Sequence, residues 1–287
     1  MKKRVILALI LSVLLIIAGC GASTGDSEKK NHKSERTATA ALVHVVKQTK
    51  KISNMEMKTN MMIVLAEGDQ KSTQQMETDS KLYLKQPFLY QTTKLNNETG
   101  SGKNSTNMEQ YADNDAMYLK SGDNGKWISV PFDSDAGRTL KDSIWNQTDP
   151  STQLDLLRNS EKNLKISEKG SNYRIQFHGD KKSMETLIKK AMLSSLSEAK
   201  KQALNRSLDL LSFTSMSYAY EVDQKTYQPK SLDIAFTAKP KSTASGSMKM
   251  TIHSQFSKIN QLEKMTIPAE VKEKAMKIDA ERLQGQF

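Results

Sequence analysis

The residues "MEMKTNMMIVL", from Met55 to Leu65, place Met55, Met57, Thr59, Met61, Ile63 and Leu65 at every second position, with mostly polar residues between them. Side chains of an extended chain point alternately to opposite faces. A period of two therefore reads as a strand with one face buried and the other wet. The residues just before it keep a different period. In "TATAALVHVVKQTKK", Ala38, Ala41, Leu42, Val45 and Val46 recur at the spacing of one helical face, which predicts a helix. His44 falls off that stripe.

Beyond Leu65 the strand pattern repeats at short intervals, in "QQMETDSKLYLK", "FLYQTTKL", "NMEQYADN", "AMYLKS" and "KWISVP". Turn residues separate these runs, including Asn114-Asp115 and "SGDNGK", and the polar stretch from Asn96 to Ser105 reads as a loop. Runs this close together are joined most simply as consecutive antiparallel strands. The middle of the chain is helical and broken. Asp149-Pro150 has the form of an N-cap followed by proline at the first helical position, leading into "STQLDLLRNS". Two short strands, "NLKIS" and "NYRIQFHG", flank Lys169-Gly170. From Lys182 to Phe213 the helical period returns, with Met184, Leu187, Ile188, Ala191 and Met192 on one stripe and Leu204, Leu208 and Leu211 on a later one, as one long helix or a broken pair.

The last third alternates again, through Met216, Tyr218, Tyr220 and Val222, then Leu232, Ile234 and Phe236, then Met248, Met250 and Ile252. The tail turns at Pro268 and ends in a short charged helix. Runs of strands interrupted by helices predict an α+β fold with an antiparallel sheet and the helices on one face. A sheet of roughly ten strands closes or curls strongly, which predicts a half-open barrel with helices packed on its concave face.

The beginning of the chain carries a different message. Lys2, Lys3 and Arg4 precede an apolar run from Val5 to Ala18, broken only by Ser12, and Ala18-Gly19 leads to Cys20, the one cysteine in 287 residues. This is the layout of a secretory leader. The apolar run is short for a spanning helix, which needs roughly 20 residues. Ile17-Ala18-Gly19-Cys20 resembles the lipobox of bacterial lipoproteins, with Ile17 where leucine is usual. That resemblance implies cleavage before Cys20, attachment of diacylglycerol to its thiol, and residence on the extracytoplasmic face of the cell membrane. Residues 1–19 are then a signal peptide, and residues 20–36, which hold no aliphatic side chain larger than Ala22, are the lipidated cysteine and a tether. Residues 37–287 form one domain, long enough for a proper core.

Charge narrows the partners. Of 43 Lys and Arg, three lie in the leader, leaving 40 against 32 Asp and Glu, a formal charge of +8. Such a surface suits anionic headgroups or an anionic wall polymer. No nucleic-acid-binding signature is present, and an exported protein is not expected to meet nucleic acid.

The lipobox, the tether, the first helix, the phrases "DNDAMYLK" and "NGKWISVP", the helical middle and the closing "IPAEVKEKA" together resemble lipoproteins of the LolA-like and LppX-like superfamily. The resemblance covers most of residues 37–279. It implies a half-open barrel whose helices plug or line a hydrophobic cavity that binds lipid, with no catalytic residues and no cofactor. A chain held by its own lipid differs from a freely diffusing shuttle. The positions expected to line such a cavity are Met57, Met61, Ile63, Tyr111, Tyr118, Trp127, Tyr218, Tyr220, Ile234, Phe236, Met250 and Ile252, and Trp145 is a further aromatic candidate. Methionine is flexible and polarizable and adapts to variable acyl chains, although at these periods it is first of all a core residue.

Catalytic and metal motifs are not evident. His32, His44, His178 and His253 are scattered, and Cys20 has no cysteine partner for a zinc site. No G-x-S-x-G elbow occurs. "TGSGKNST" mimics a phosphate loop, but Asn104 stands where Ser or Thr would bind magnesium. Glu77 and Asp79 share a strand face with no sign of burial. The expectation is a binding protein, not an enzyme, with a scaffold that contacts wall polymer or another envelope protein as the second reading.

Overall fold

The computed structural model describes residues 34–100, 102–122, 125–148, 154, 161–193, 198–241 and 246–281. Expectations for the leader, Cys20, most of the tether and the Asp149-Pro150 cap lie outside these residues. In chain order the described elements are α1 (Ser34–Thr49), β1 (Asn54–Glu67), β2 (Gln70–Tyr83), β3 (Phe88–Thr99), β4 (Gly102–Ala112), β5 (Ala116–Ser121), β6 (Ile128–Pro131), α2 (Asp135–Thr148), β7 (Leu164–Lys169) and β8 (Asn172–Phe177). They continue with α3 (Lys181–Leu193), α4 (Glu198–Asp209), β9 (Leu211–Asp223), β10 (Pro229–Pro240), β11 (Gly246–Ser257), α5 (Ala269–Lys274) and β12 (Met276–Lys277).

Twelve strands form one curved, unclosed sheet in the order β12-β6-β5-β4-β3-β2-β1-β11-β10-β9-β8-β7. Every pairing is antiparallel except that of β12 with β6. The first meander runs outward from β1 to β6, and the second runs inward from β7 to β11. They meet where β1 pairs with β11, from Glu56 opposite Ser257 to Glu67 opposite Gly246. The alternation of β1 sets this register. Met61 lies between Ile252 and Met76, and Ile63 lies opposite Met250, so a slip of one residue would turn every apolar side chain to the wrong face. Two hairpins close through two-residue loops that begin with a glycine at positive φ, Gly68 at 56° and Gly170 at 60°. A side chain there would be strained, which is why glycine serves.

Three features differ from the sequence reading. The stretch from Asn96 to Ser105 is strand on both sides of a tight turn, with Asn96 opposite Ser105 and Glu98 opposite Lys103. Both faces of this hairpin end are polar, so no alternation marked it. The ladder is held by its backbone and by cross-strand contacts such as Ser105 Oγ to Asn96 Oδ1 at 2.8 Å and Lys103 to Glu98 at 3.2 Å. Helix α2 was not anticipated. Ser134 Oγ accepts from the Gly137 N–H at 3.1 Å, a serine cap, and Leu140 and Ile144 form its short apolar stripe. Leu211, expected on a helical stripe, begins β9 instead, and the region before it is the broken pair α3 and α4. A bulge between Ser215 and Phe213 shifts the parity of β9, so Phe213 is buried on the same side as Met216.

The face of the sheet that carries Met55 is called inner here. Its buried residues fall into two clusters. The first joins Met55, Leu82, Leu89, Met117, Val130, Ile175, Tyr218, Tyr220 and Leu232 of the sheet to Leu42, Val45 and Val46 of α1, Ile144 of α2 and Leu187 of α3. The second joins Met61, Ile63, Phe236, Met248, Met250 and Ile252 to Leu204 and Leu208 of α4. A third, on the outer face, packs Ile267 and Val271 of the C-terminal segment on Phe88 and Tyr111. Among the described residues the three clusters draw on residues 42 to 280.

Candidate functional site

Met216 and Ile234 pack against both inner clusters, so the two join into one apolar surface across the sheet. Nine of the twelve expected cavity residues lie on it. Met57, Tyr218 and Tyr220 belong to the first cluster, Met61, Ile63, Phe236, Met250 and Ile252 to the second, and Ile234 touches both. The structure does not bring Tyr111, Tyr118 and Trp127 to these nine. They sit on the outer face with Tyr83, Phe88 and Tyr90, where ring centroids lie 4.8 Å apart for Tyr90 and Tyr111 and 5.6 Å for Tyr111 and Trp127. Residue parity accounts for this division, because Tyr111 neighbours Ala112, which belongs to the first inner cluster.

A band of hydroxyls crosses the inner face. Thr59 and Ser254 share a hydrogen bond of 2.9 Å, and Thr78 and Thr93 one of 3.2 Å. Ser80 donates to Gln91 at 3.2 Å, and all but Gln91 are buried. The pattern of β1 already held Thr59. The other members escaped notice because serine and threonine in a strand carry no apolar signal. Satisfied in this way, the band is a tolerable interruption of an apolar face.

Four polar atoms in or beside the first cluster are not satisfied. The hydroxyls of Tyr218, Tyr220 and Thr49 and the Nε1 of Trp145 are buried without a hydrogen-bond partner. Tyr218 is 8 % exposed, Tyr220 0 % and Thr49 1 %. Burial pushes both tyrosines up from their ordinary range, and Tyr220 feels Tyr218 and the Thr49 hydroxyl beside it. Thr49 had no signal in the sequence, since it continues the stripe of Leu42, Val45 and Val46 with a polar side chain.

Burial, then Glu109, lifts Tyr111 to about 12. A raised folded value favours the neutral phenol, so its contribution is complete below about 10, the unfolded value, and is lost as pH rises toward 12. The expected result is a urea midpoint that falls between pH 10 and pH 12 while absorbance at 295 nm shows fewer than the eight tyrosines of the chain ionised. A flat midpoint over that window contradicts it.

The outer face carries two open clefts. One, of about 480 Å³, is lined by Lys58, Lys169, Glu221, Lys230, Asp233 and His253 among others. Its charges are largely matched within the fold. Glu221, buried, accepts from Lys169 at 2.7 Å and Arg174 at 3.1 Å, His253 lies 2.6 Å from Asp233, and Lys58 lies 3.2 Å from Asp79. The other, of about 240 Å³, lies between Tyr83, Asp113 and Lys264. Glu221→Ala strips Arg174 and Lys169 of their shared acceptor and is expected to cost about 2 kcal/mol in urea denaturation. An unchanged midpoint would show that solvent replaces the carboxylate.

Among the described residues, no three His, Cys, Asp or Glu side chains come together as metal ligands. The sheet buries apolar side chains across its inner face and carries both ion pairs and an aromatic cluster on its outer face. The model of a family of unknown function, DUF6612, matches residues 37–276. The chain belongs to the DUF6612 family. No curated protein matches this member in sequence. Among solved structures it is similar to LprF from Mycobacterium bovis, at 12% identity and a TM-score of 0.40, over 82% of this chain and 98% of that one. It is also similar to a DUF1329 family protein from Desulfovibrio piger, at 9% identity and a TM-score of 0.27, over 80% of this chain and 98% of that one. At scores of this size neither likeness says what this family member binds.

Proposed function

We propose that the chain is an extracytoplasmic lipoprotein, anchored to the cell membrane through Cys20, that holds a lipid or other hydrophobic ligand on the inner side of its curved sheet. In this reading the helices pack on the concave side and the chain performs no catalysis. The observation that carries it is the continuity of the inner apolar surface, from Val130 at one end through Met61 and Met250 to Ile175 at the other, on a sheet whose edges do not meet. A sheet of twelve strands spans more width than its own side chains can fill, which leaves its inner surface to helices and to ligand. Methionines at 55, 57, 61, 216, 248 and 250 make that surface soft, which suits chains of varied length. The basic surface accords with a place beside anionic headgroups.

The test is direct. The chain from residue 21 onward, stripped of bound lipid with organic solvent and refolded, is titrated with the neutral dye N-phenyl-1-naphthylamine. Saturable fluorescence at one dye per chain, displaced by lipid, is the expected result. A refolded chain that never brightens the dye, yet binds anionic wall polymer, would replace the carrier with a scaffold.

A further inference from the structure

The larger cleft of the outer face divides its polar side chains into two sets. Its carboxylates are met within the fold, Glu221 by Lys169 and Arg174 and Asp233 by His253, and Lys58 is turned toward Asp79. Lys230, Ser231, Gln255 and Ser257 line the same cleft, and among the described residues none of these side chains has a hydrogen-bond or ion-pair partner. Asp223, which Lys230 influences only through space, accepts instead from the N–H groups of Lys225 and Thr226. Lys230 owes its place to a break in the ladder. Pro229 lies opposite Val222 and Ser231 opposite Glu221, so two steps along β10 match one along β9, and Lys230 is the extra residue. Regular alternation would send Lys230 and Ser231 to opposite faces, whereas the bulge lets both line the cleft. Bulges that re-aim a side chain in this way gather beside functional sites. Next to Lys230, Ser231 and Gln255 face each other across the ladder, in a row that ends on Glu221 at one side and Lys58 at the other.

We propose that this outer cleft binds a phosphodiester flanked by free hydroxyls, the group found in a glycerol phosphate unit, with Lys230 on the phosphate and Ser231, Gln255 and Ser257 on the hydroxyls. The one set of side chains without partners is a cation and three neutral groups, which calls for an anion that also carries polar, uncharged parts. A lysine ammonium is a point charge and suits a tetrahedral oxyanion, whereas the planar fork that would favour a carboxylate, Arg174, is engaged with Glu221. Serine hydroxyls and the Gln255 amide donate and accept alike, as the hydroxyls of such a ligand do. Lys169, whose side chain is 58% exposed, shares Glu221 with Arg174 and can turn to the phosphate while the carboxylate stays met. The site lies across the sheet from the apolar surface, so it stands or falls independently of the carrier reading.

The experiment is a calorimetric titration of the full chain, in neutral detergent, with glycerophosphoglycerol and with dimethyl phosphate, which keeps the charge and lacks the hydroxyls. The first is expected to bind saturably and the second about three- to tenfold more weakly, for want of one or more hydrogen bonds. Lys230→Gln is expected to weaken glycerophosphoglycerol about three- to tenfold, whereas Lys249→Gln, the same change of charge roughly 20 Å further along β11, shifts it less than about twofold. Both variants are expected to keep the urea midpoint of the parent. Equal weakening by the two substitutions reduces the binding to the general charge of the surface and overturns the site. Equal binding of the two phosphates overturns the role given to Ser231, Gln255 and Ser257, and the absence of saturable heat overturns the whole proposal. Phosphatidylglycerol vesicles and immobilised poly(glycerol phosphate) present the same group as a headgroup and as a polymer. Retention on either that is lost in Lys230→Gln supports the site and names the source, and retention on neither counts against it.

Discussion

The Cys20→Ala variant is expected to leave the membrane fraction almost completely. Each acyl CH₂ buried in the bilayer contributes about 0.8 kcal/mol, so one long chain binds only marginally and two hold a protein stably. Among the described residues no helix is long and apolar enough to cross a membrane. Basic residues near anionic lipid contribute about 1 kcal/mol each, and salt weakens them. Detergent phase partitioning and labelling with radioactive palmitate measure the effect. The parent should enter the detergent phase with label and the variant the aqueous phase without it. A variant that still follows the detergent, or a parent that takes up no label, removes the lipid anchor from the account.

The second large effect concerns the C-terminal segment. From Met265 to Ala280 it crosses the outer face and wraps the edge of the sheet. Ile267 and Val271 are buried on the aromatic cluster, Ile278 and Ala280 reach the first inner cluster, and the backbone N–H groups of Met276 and Ile278 donate to Trp127 and Ser129 at 2.9 Å. Ending the chain after Leu262 uncovers Phe88 and Tyr111 and frees the edge of β6. At about 1.5–3 kcal/mol for each large aliphatic side chain, the loss reaches about 5–8 kcal/mol, which is most of the stability of an ordinary domain. The truncated chain is expected to be unfolded or aggregated, and an exposed edge strand favours the latter. Ile267→Ala, a gentler change, should lower stability by about 2–4 kcal/mol in urea denaturation followed by tryptophan fluorescence. Truncation without a shift in midpoint would mean that the segment merely lies on the sheet.

The strands that were legible in the sequence were those with one wet face. Met55 to Leu65 and Leu232 to Phe236 alternate because water touches one side and core the other, and each lies in the sheet with the expected side buried. The end of the β3–β4 hairpin was not legible, because Asn96, Asn97, Asn104 and Ser105 are polar on both faces and only their partners across the ladder mark them as strand. The bulge that admits Phe213 to the core was equally silent, since parity shifts are a property of pairing and not of composition. For the candidate site, the apolar residues could be read from their period. Their division between faces could not be read for the aromatics, because Tyr111, Tyr118 and Trp127 are half apolar wherever they stand and the C-terminal segment that covers them is distant in sequence. Thr49 acquired its place through the end of a helix meeting Tyr220, a contact between residues far apart in the chain.

The most direct test of the account is to purify the full-length chain from its own membranes in mild detergent, wash it exhaustively, and analyse an organic extract by mass spectrometry beside a parallel sample of whatever acyl groups are released from Cys20. The account predicts a non-covalent lipid recovered near one molecule per chain and distinct from the anchor. Extracts that hold only anchor lipid and detergent, from protein that also fails to bind the neutral dye, would contradict it.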